Sequence, residues 1–545
     1  MESQRSFLFI ALMVVTFLLY QQWQLDNAPV KQEQDIIAQN SATPSAATSD
    51  DFVPASSEAN NKPVAATPAT ANLITVTTDV LKIKINTQGG DIVEAVLLDY
   101  ETEQGSETPF TIMQNGQFTY IAQSGLTGAQ GIDRTVKGRP IYHTEKQDYQ
   151  LAGDSPLVID LTYVTESGLS VIKRFTFEKS NYQVSLDYII DNQSSSTASV
   201  ELYAQLKQSS IVDKEASGLL PTYRGAAYST QDERYEKYDF DDIADANLNV
   251  ATKGGWVAML QHYFVASWIP AQNEVNQLYT SYTRNHEAVI GFKAPAILIE
   301  PNQQATASTS LYVGPKDQEN LGEIADGLEL TVDFGFLFMI SQPLHWLLLQ
   351  IQALVVNWGI AIIIITIIVK GLMYPLTKAQ YSSMAKMREL QPKMTQLKER
   401  FGDDRQKMSQ AMMELYRKEK VNPAGGCLPL LIQMPIFLAL YWVFLESVEL
   451  RHATFGLWLQ DLSSKDPYYI LPILMGISMY IMQKMQPMTI QDPMQQKIMQ
   501  YMPVMFTVFF FWFPSGLVLY WLVSNVISII QMKIIFSALE KQKAK

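Results

Sequence analysis

The stretch ITIIVKGLMYP (365–375) places Lys370 inside an otherwise apolar run that extends over about 353–376. The run is long enough to cross a bilayer, where a charge is costly. Two readings of Lys370 follow. Its stem can snorkel to the nearby membrane surface, or its ammonium can face a wet interior and meet an anionic partner. Gly359, Ile363, Thr366, Lys370 and Thr377 share one helical stripe, so Thr366 sits one turn from Lys370. No acidic residue lies well inside any apolar stretch; Glu446 stands at the end of one. An unpaired cation beside hydroxyls and amides points to a hydrated cavity rather than a closed ion pair.

Other apolar stretches repeat the theme. Residues 427–446 carry Gln433, and 468–483 form a short stretch. The uncharged stretch 498–531 is broken by Pro514-Ser515-Gly516 into short helices over 498–513 and 517–532. The last carries Tyr520, Trp521, Ser524, Asn525, Ser528 and Gln531 at helical spacing. With 353–376 and an N-terminal stretch, 7–20 (FLFIALMVVTFLLY), these make six spans. The N-terminal stretch reads as an uncleaved anchor over 1–25, with a signal peptide as the competing reading, because no A-x-A site follows and Trp23 suits an interface belt.

Charge placement orients the spans. The formal net charge of the 545-residue chain is −13, yet 26–345 alone hold 20 Lys+Arg against 41 Asp+Glu, so the remainder nets +8. Residues 377–426 hold eleven Lys+Arg against six acids, and the tail 533–545 adds four lysines against Glu540. By the positive-inside rule both are cytoplasmic. Six spans with both termini inside satisfy this and put the acidic region outside.

Residues 26–73 are rich in Ala, Ser, Thr, Pro, Asn and Asp and read as a disordered linker. From 74 to 330 the pattern alternates, as in LSVIKRFTFE (169–178) and YQVSLDYIID (182–191), which predicts a large antiparallel β-sandwich. Residues 331–352, with Gln, His, Pro and Trp among apolar residues, read as an interfacial helix, with the extended start of the next span as the competing reading. In 377–426, Met387, Met394 and Met412 belong to apolar stripes interrupted at Gly402-Asp403-Asp404, a helix stop and new N-cap. This is a helical hairpin whose stripes pack on each other or leave adaptable methionines for a partner. The single cysteine, Cys427, excludes an internal disulfide, and the absence of HExxH and GxxxxGK[ST] removes two enzyme classes.

The segments at 359–393 (GIAIIIITIIVKGLMYPLTKAQYSSMAKMRELQPK), 419–441 (EKVNPAGGCLPLLIQMPIFLALY), 466–476 (DPYYILPILMG), 492–504 (DPMQQKIMQYMPV) and 511–525 (FWFPSGLVLYWLVSN) resemble the YidC/Oxa/Alb family of membrane protein insertases, in the long form of double-membrane bacteria. The resemblance implies a non-enzymatic insertase and chaperone of the inner membrane, without cofactor or direct nucleic-acid contact. It would act on nascent membrane proteins, alone or with the Sec translocon. The β domain would be a periplasmic β-supersandwich of the kind seen in mutarotase-like folds. Lys370 would take the place of the family's groove cation, often arginine, and attract acidic tails. Thr366, Gln433, Tyr520, Trp521, Ser524 and Asn525 would line the groove. The hairpin, with Met387, Met394, Asp403, Asp404 and Met412, would meet substrate, ribosome or targeting factors, and the spans would contact lipid. Rival readings are an anion transporter, which lacks repeated half-sequences, and a carbohydrate enzyme using His262 or His286 with Glu287.

Overall fold

The computed structural model describes residues 52–54, 72–116, 118–133, 138–211, 222–401, 404–419, 428–485 and 493–543. The expected anchor at 1–25, most of the linker and Asp403 lie outside them. Two sheets, of eleven and eight strands, pack face to face. Alternation explains the pairing: in Leu169–Phe177 every second residue is buried, so Val171, Phe175 and Phe177 join Ile83, Ile92 and Leu206 of the opposite sheet in one core. Among the described residues the pairing is antiparallel with one exception. Leu73–Thr77 pairs parallel with Asp148–Gln150, because a long connection, not a hairpin, brings the second strand to the sheet edge.

Nine helices follow the sandwich among the described residues: a short one (Gln318–Ile324), then α1 (Phe338–Val355), α2 (Trp358–Leu372), α3 (Tyr374–Phe401), α4 (Arg405–Lys418), α5 (Leu428–Glu446), α6 (Ile470–Met485), α7 (Pro493–Phe509) and α8 (Ser515–Lys543). Several bounds differ from the sequence reading. The helix expected over 331–352 starts only at Phe338, after two 3-10 turns. The run read as 353–376 is three pieces. Val356 takes the left-handed region at φ 57°, and Asn357 opens α2 by accepting from the Ile360 N–H at 3.0 Å. Pro375, whose ring suits a first helical turn, sits at the start of α3. The α2–α3 axis bends by 64° there.

By length and composition two described helices can cross a membrane, Gly335–Val355 and Ser515–Lys541, or three if the bent α2–α3 pair counts as one span. The sequence reading had six, one of which, 1–25, lies outside the described residues. The difference has a physical source: α6 has 16 residues, α7 carries Pro503 and gives way to a 3-10 turn at Phe510, and α5 carries Pro435.

The sandwich grips the helices. A second core runs from Trp256, Leu260 and Val265 of the sheet through Leu348, Ile362 and Phe444 of the helices. His262 Nε2 lies 2.9 Å from the Leu445 carbonyl oxygen at the C-terminal end of α5. Five residues on, Arg451 donates to the carbonyls of Glu101 and Thr102, with its guanidinium 5.3 and 5.5 Å from the rings of Phe110 and Phe264.

Candidate functional site

The face of α2 that turns inward holds Gly359, Ala361, Ile362, Ile365, Thr366 and Lys370. Lys370 stands in the last turn, where a cation complements the exposed helix carbonyls. Its side chain is only 6% exposed, so it does not reach the surface. Nζ donates to Ser528 Oγ at 3.0 Å, and Ser528 Oγ donates onward to the Ser524 carbonyl at 2.8 Å. Gln531 Nε2 donates to the Lys370 carbonyl at 3.2 Å. Among the described residues no carboxylate pairs with Lys370. Thr366 donates to the Ile362 carbonyl of its own helix at 2.6 Å. One turn toward the sandwich from Ser528, Asn525 Nδ2 donates to Ser478 Oγ of α6 at 3.0 Å.

These side chains form a polar seam between α2, α6 and α8, and each is less than a tenth exposed. An apolar plug closes the seam on the side away from the sandwich. Tyr381, Met532 and Ile535 form its centre, with Met384, Met482, Met485 and Phe536 packed around them. Beside the seam lies an apolar cleft of about 440 Å³ whose one polar wall residue is Ser478.

The sequence-predicted site residues fall into four groups. Lys370, Thr366, Ser524 and Asn525 share the seam. Tyr520 and Trp521 leave it for an aromatic cluster: Tyr520 sits 5.9 Å from Phe437 and 5.7 Å from Phe444, and Trp521 sits 4.6 Å from both Phe437 and Phe510. Partly buried Gln433 makes no hydrogen bond to the Lys370 set among the described residues. Thr377 lies past the bend at Met373, off the stripe expected to carry it. In the hairpin, Met387, Met394 and Met412 meet around Leu390, with Tyr416 Oη 3.7 Å from Met394 Sδ. Asp404 caps α4 by accepting from Lys407 N–H at 3.1 Å. Ser528 and Gln531 were legible on the last polar stripe but not as partners of Lys370. Ser478 carried no signal, being a lone serine in an apolar helix.

The rival histidines form no reactive set. His262 holds the Leu445 carbonyl, and His286 sits at φ 57° beside the Tyr282 hydroxyl. Among the described residues no group of His, Cys, Asp and Glu could hold a metal ion.

Residues 73–347 match the model described as the YidC periplasmic domain, and 350–543 match that of the 60Kd inner membrane protein. A relative in Pseudoalteromonas atlantica is 54% identical, and one in a Shewanella species 56%, each over all of both chains; both are named membrane protein insertase YidC. A crystal structure described as an active YidC insertase with its first transmembrane domain resolved aligns with 86% of this chain and 93% of its own, at 20% identity and a TM-score of 0.36. The sandwich is thus a periplasmic domain and the helical part belongs to the inner membrane. On the full-length identity of these relatives and on both matched models, the chain belongs to the YidC family of membrane protein insertases.

Proposed function

We propose that this chain inserts and helps fold newly made inner-membrane proteins, alone or with the Sec translocon, by way of the polar seam opened toward the cytoplasm and lipid. Buried Lys370, held by a hydroxyl and not by a carboxylate, is the observation that carries this reading. A serine hydroxyl does not neutralise the ammonium, so an acidic tail entering the seam gains an attraction that no carboxylate among the described residues has taken up. A lysine offers a point charge, not the bidentate fork of arginine, so the attraction is a field more than a clamp.

The seam also lowers the desolvation cost of carrying polar groups through hydrocarbon, about 2–7 kcal/mol for each unpaired amide or hydroxyl. Burial of the substrate's apolar helix and the membrane potential then supply the drive. In this reading the chain has six spans with both termini in the cytoplasm: 1–25, 353–376, 427–446, 468–483, 498–513 and 517–532. Residues 331–352 lie along the interface, a basic hairpin at 377–426 receives substrate, ribosome or targeting factors, and 533–545 form a basic cytoplasmic tail. Short spans thin the surrounding bilayer. Opening the seam requires Tyr381 and the methionine plug to leave it, and methionine's flexible thioether suits a repeatedly broken contact.

The test is site-directed photo-crosslinking to a ribosome-stalled nascent membrane protein. Probes at Thr366, Gln433 and Trp521 should all capture the chain. Capture confined to the exposed hairpin, with none from Thr366, would sink the seam as the route.

A further inference from the structure

Phe52 is the sole aromatic residue in the linker composition of 26–73, and it is docked. Its carbonyl accepts from Gln205 Nε2 at 2.8 Å, its ring lies 6.2 Å from that of Tyr279, and Pro54 is buried. Gln205 faces away from the sandwich core yet is 0% exposed.

The dock is built into the sheet. Gln123, Gln205, Gly291 and Tyr279 lie in one row across four neighbouring strands. A Cβ at Gly291 would stand 2.7 Å from Tyr279 Oη and from Gln205 Cβ, so only a glycine lets the tyrosine lean across its strand. Tyr279 Oη then donates to Gln205 Oε1 at 2.8 Å. Gln205 Nε2 donates to Gln123 Oε1 at 2.9 Å, and Gln123 Nε2 donates to Asp91 Oδ2 at 2.9 Å. Asp91 is itself paired with Arg139.

This network has a direction. The Asp91 carboxylate only accepts, so Gln123 must turn its amide nitrogen toward it and its oxygen toward Gln205. Gln205 must then turn its nitrogen inward, with its oxygen already taken by Tyr279. One amide proton is left, aimed outward under the docked segment that buries it, where it needs an acceptor. A peptide carbonyl meets that demand; a peptide N–H does not.

We propose that this row is a recognition site for an extended aromatic-Val-Pro segment, read through one backbone carbonyl, and that Phe52-Val53-Pro54 of the same chain is its occupant. The latch ends the tether to the N-terminal stretch at Phe52 instead of at Leu73, removing 21 residues of reach, which at ~3.3–3.6 Å per residue is roughly 70 Å when fully extended.

The test uses the full-length protein in detergent and a fluorescent synthetic peptide of residues 49–57, SDDFVPASS, followed by anisotropy. The Phe52→Ala protein should bind the peptide at least tenfold more tightly than the unaltered protein, whose own segment competes at the ~mM effective concentration of a tethered ligand. A peptide carrying Phe52→Ala should not bind, and Tyr279→Phe in the Phe52→Ala protein should weaken binding. A photo-crosslinker at position 52 of the otherwise unaltered chain should attach within 275–293. Equal peptide binding by both proteins, no binding by either, or crosslinks spread over unrelated segments would overturn the proposal.

Discussion

Lys370 on α2 and Ser528 on α8 meet at 3.0 Å in a region with no carboxylate partner for the ammonium among the described residues. A charge–carboxylate contact near 4 Å contributes ~1–4 kcal/mol, depending on how wet the site is. Lys370→Ala is therefore expected to lower translocation of acidic tails by ~fivefold or more, while neutral tails pass almost unchanged. Lys370→Arg, which keeps the charge, should be nearly silent. Protease accessibility of the tails in cells measures both, and equal defects for acidic and neutral tails would refute the electrostatic role.

Asn525 and Ser478 tie α8 to α6 inside the seam. A double-mutant cycle of Asn525→Ala and Ser478→Ala should return a coupling of ~0.6 kcal/mol, and at most ~1.7 kcal/mol, the range for interhelical hydrogen bonds in membranes. Apparent thermal stability in detergent is the readout. Strictly additive effects would show that the bond contributes nothing.

Gly359 lets the ring of Phe455 close on α2. A Cβ there would lie 2.0 Å from Phe455 Cδ2, so Gly359→Ala must push the ring and its loop aside. The expected loss is ~1–3 kcal/mol, typical of overpacking. An unchanged melting midpoint would mean that the ring moves freely.

His262 links the periplasmic domain to α5, and burial pushes its imidazole down to about 4 from 6.5, with the bond to Leu445 opposing the shift. Neutral His262 donates to the Leu445 carbonyl. The unfolded chain takes up the proton first as pH falls, so the contribution is complete above pH 6.5 and is lost between 6.5 and 4. Partial solvent access reduces the ideal linkage to about 2–3 kcal/mol. His262→Gln keeps a donor but cannot titrate, so its melting point should fall less over that interval. Parallel pH profiles for the two proteins would contradict the assignment.

Local periodicity made some of this architecture readable. Alternation in 169–178 marked a strand because one face of Leu169–Phe177 really is core. The four-residue step from Thr366 to Lys370 placed both on one face because α2 is unbroken between them. The same extrapolation failed at Thr377, since spacing rules end where the axis bends at Met373. Tyr520 and Trp521 look polar-capable on a wheel, yet Phe437, Phe444 and Phe510 claim their rings. Contacts between distant segments stayed hidden: the Phe110–Arg451–Phe264 stack and the docking of Phe52 depend on tertiary proximity that no local pattern encodes.

The attachment of α5 at one end gives it a fulcrum. Its C-terminal carbonyl is held by His262, and the loop beyond is clamped by Arg451, so the periplasmic end is the fixed one. The 19 residues from Leu428 to Glu446 span roughly 28 Å, and a tilt of the whole helix by about ten degrees would swing its far end by ~5 Å. Any rigid-body motion of this helix is therefore amplified at the end away from the periplasmic domain and damped beside it, a mechanical polarity set by where the sandwich holds the helix.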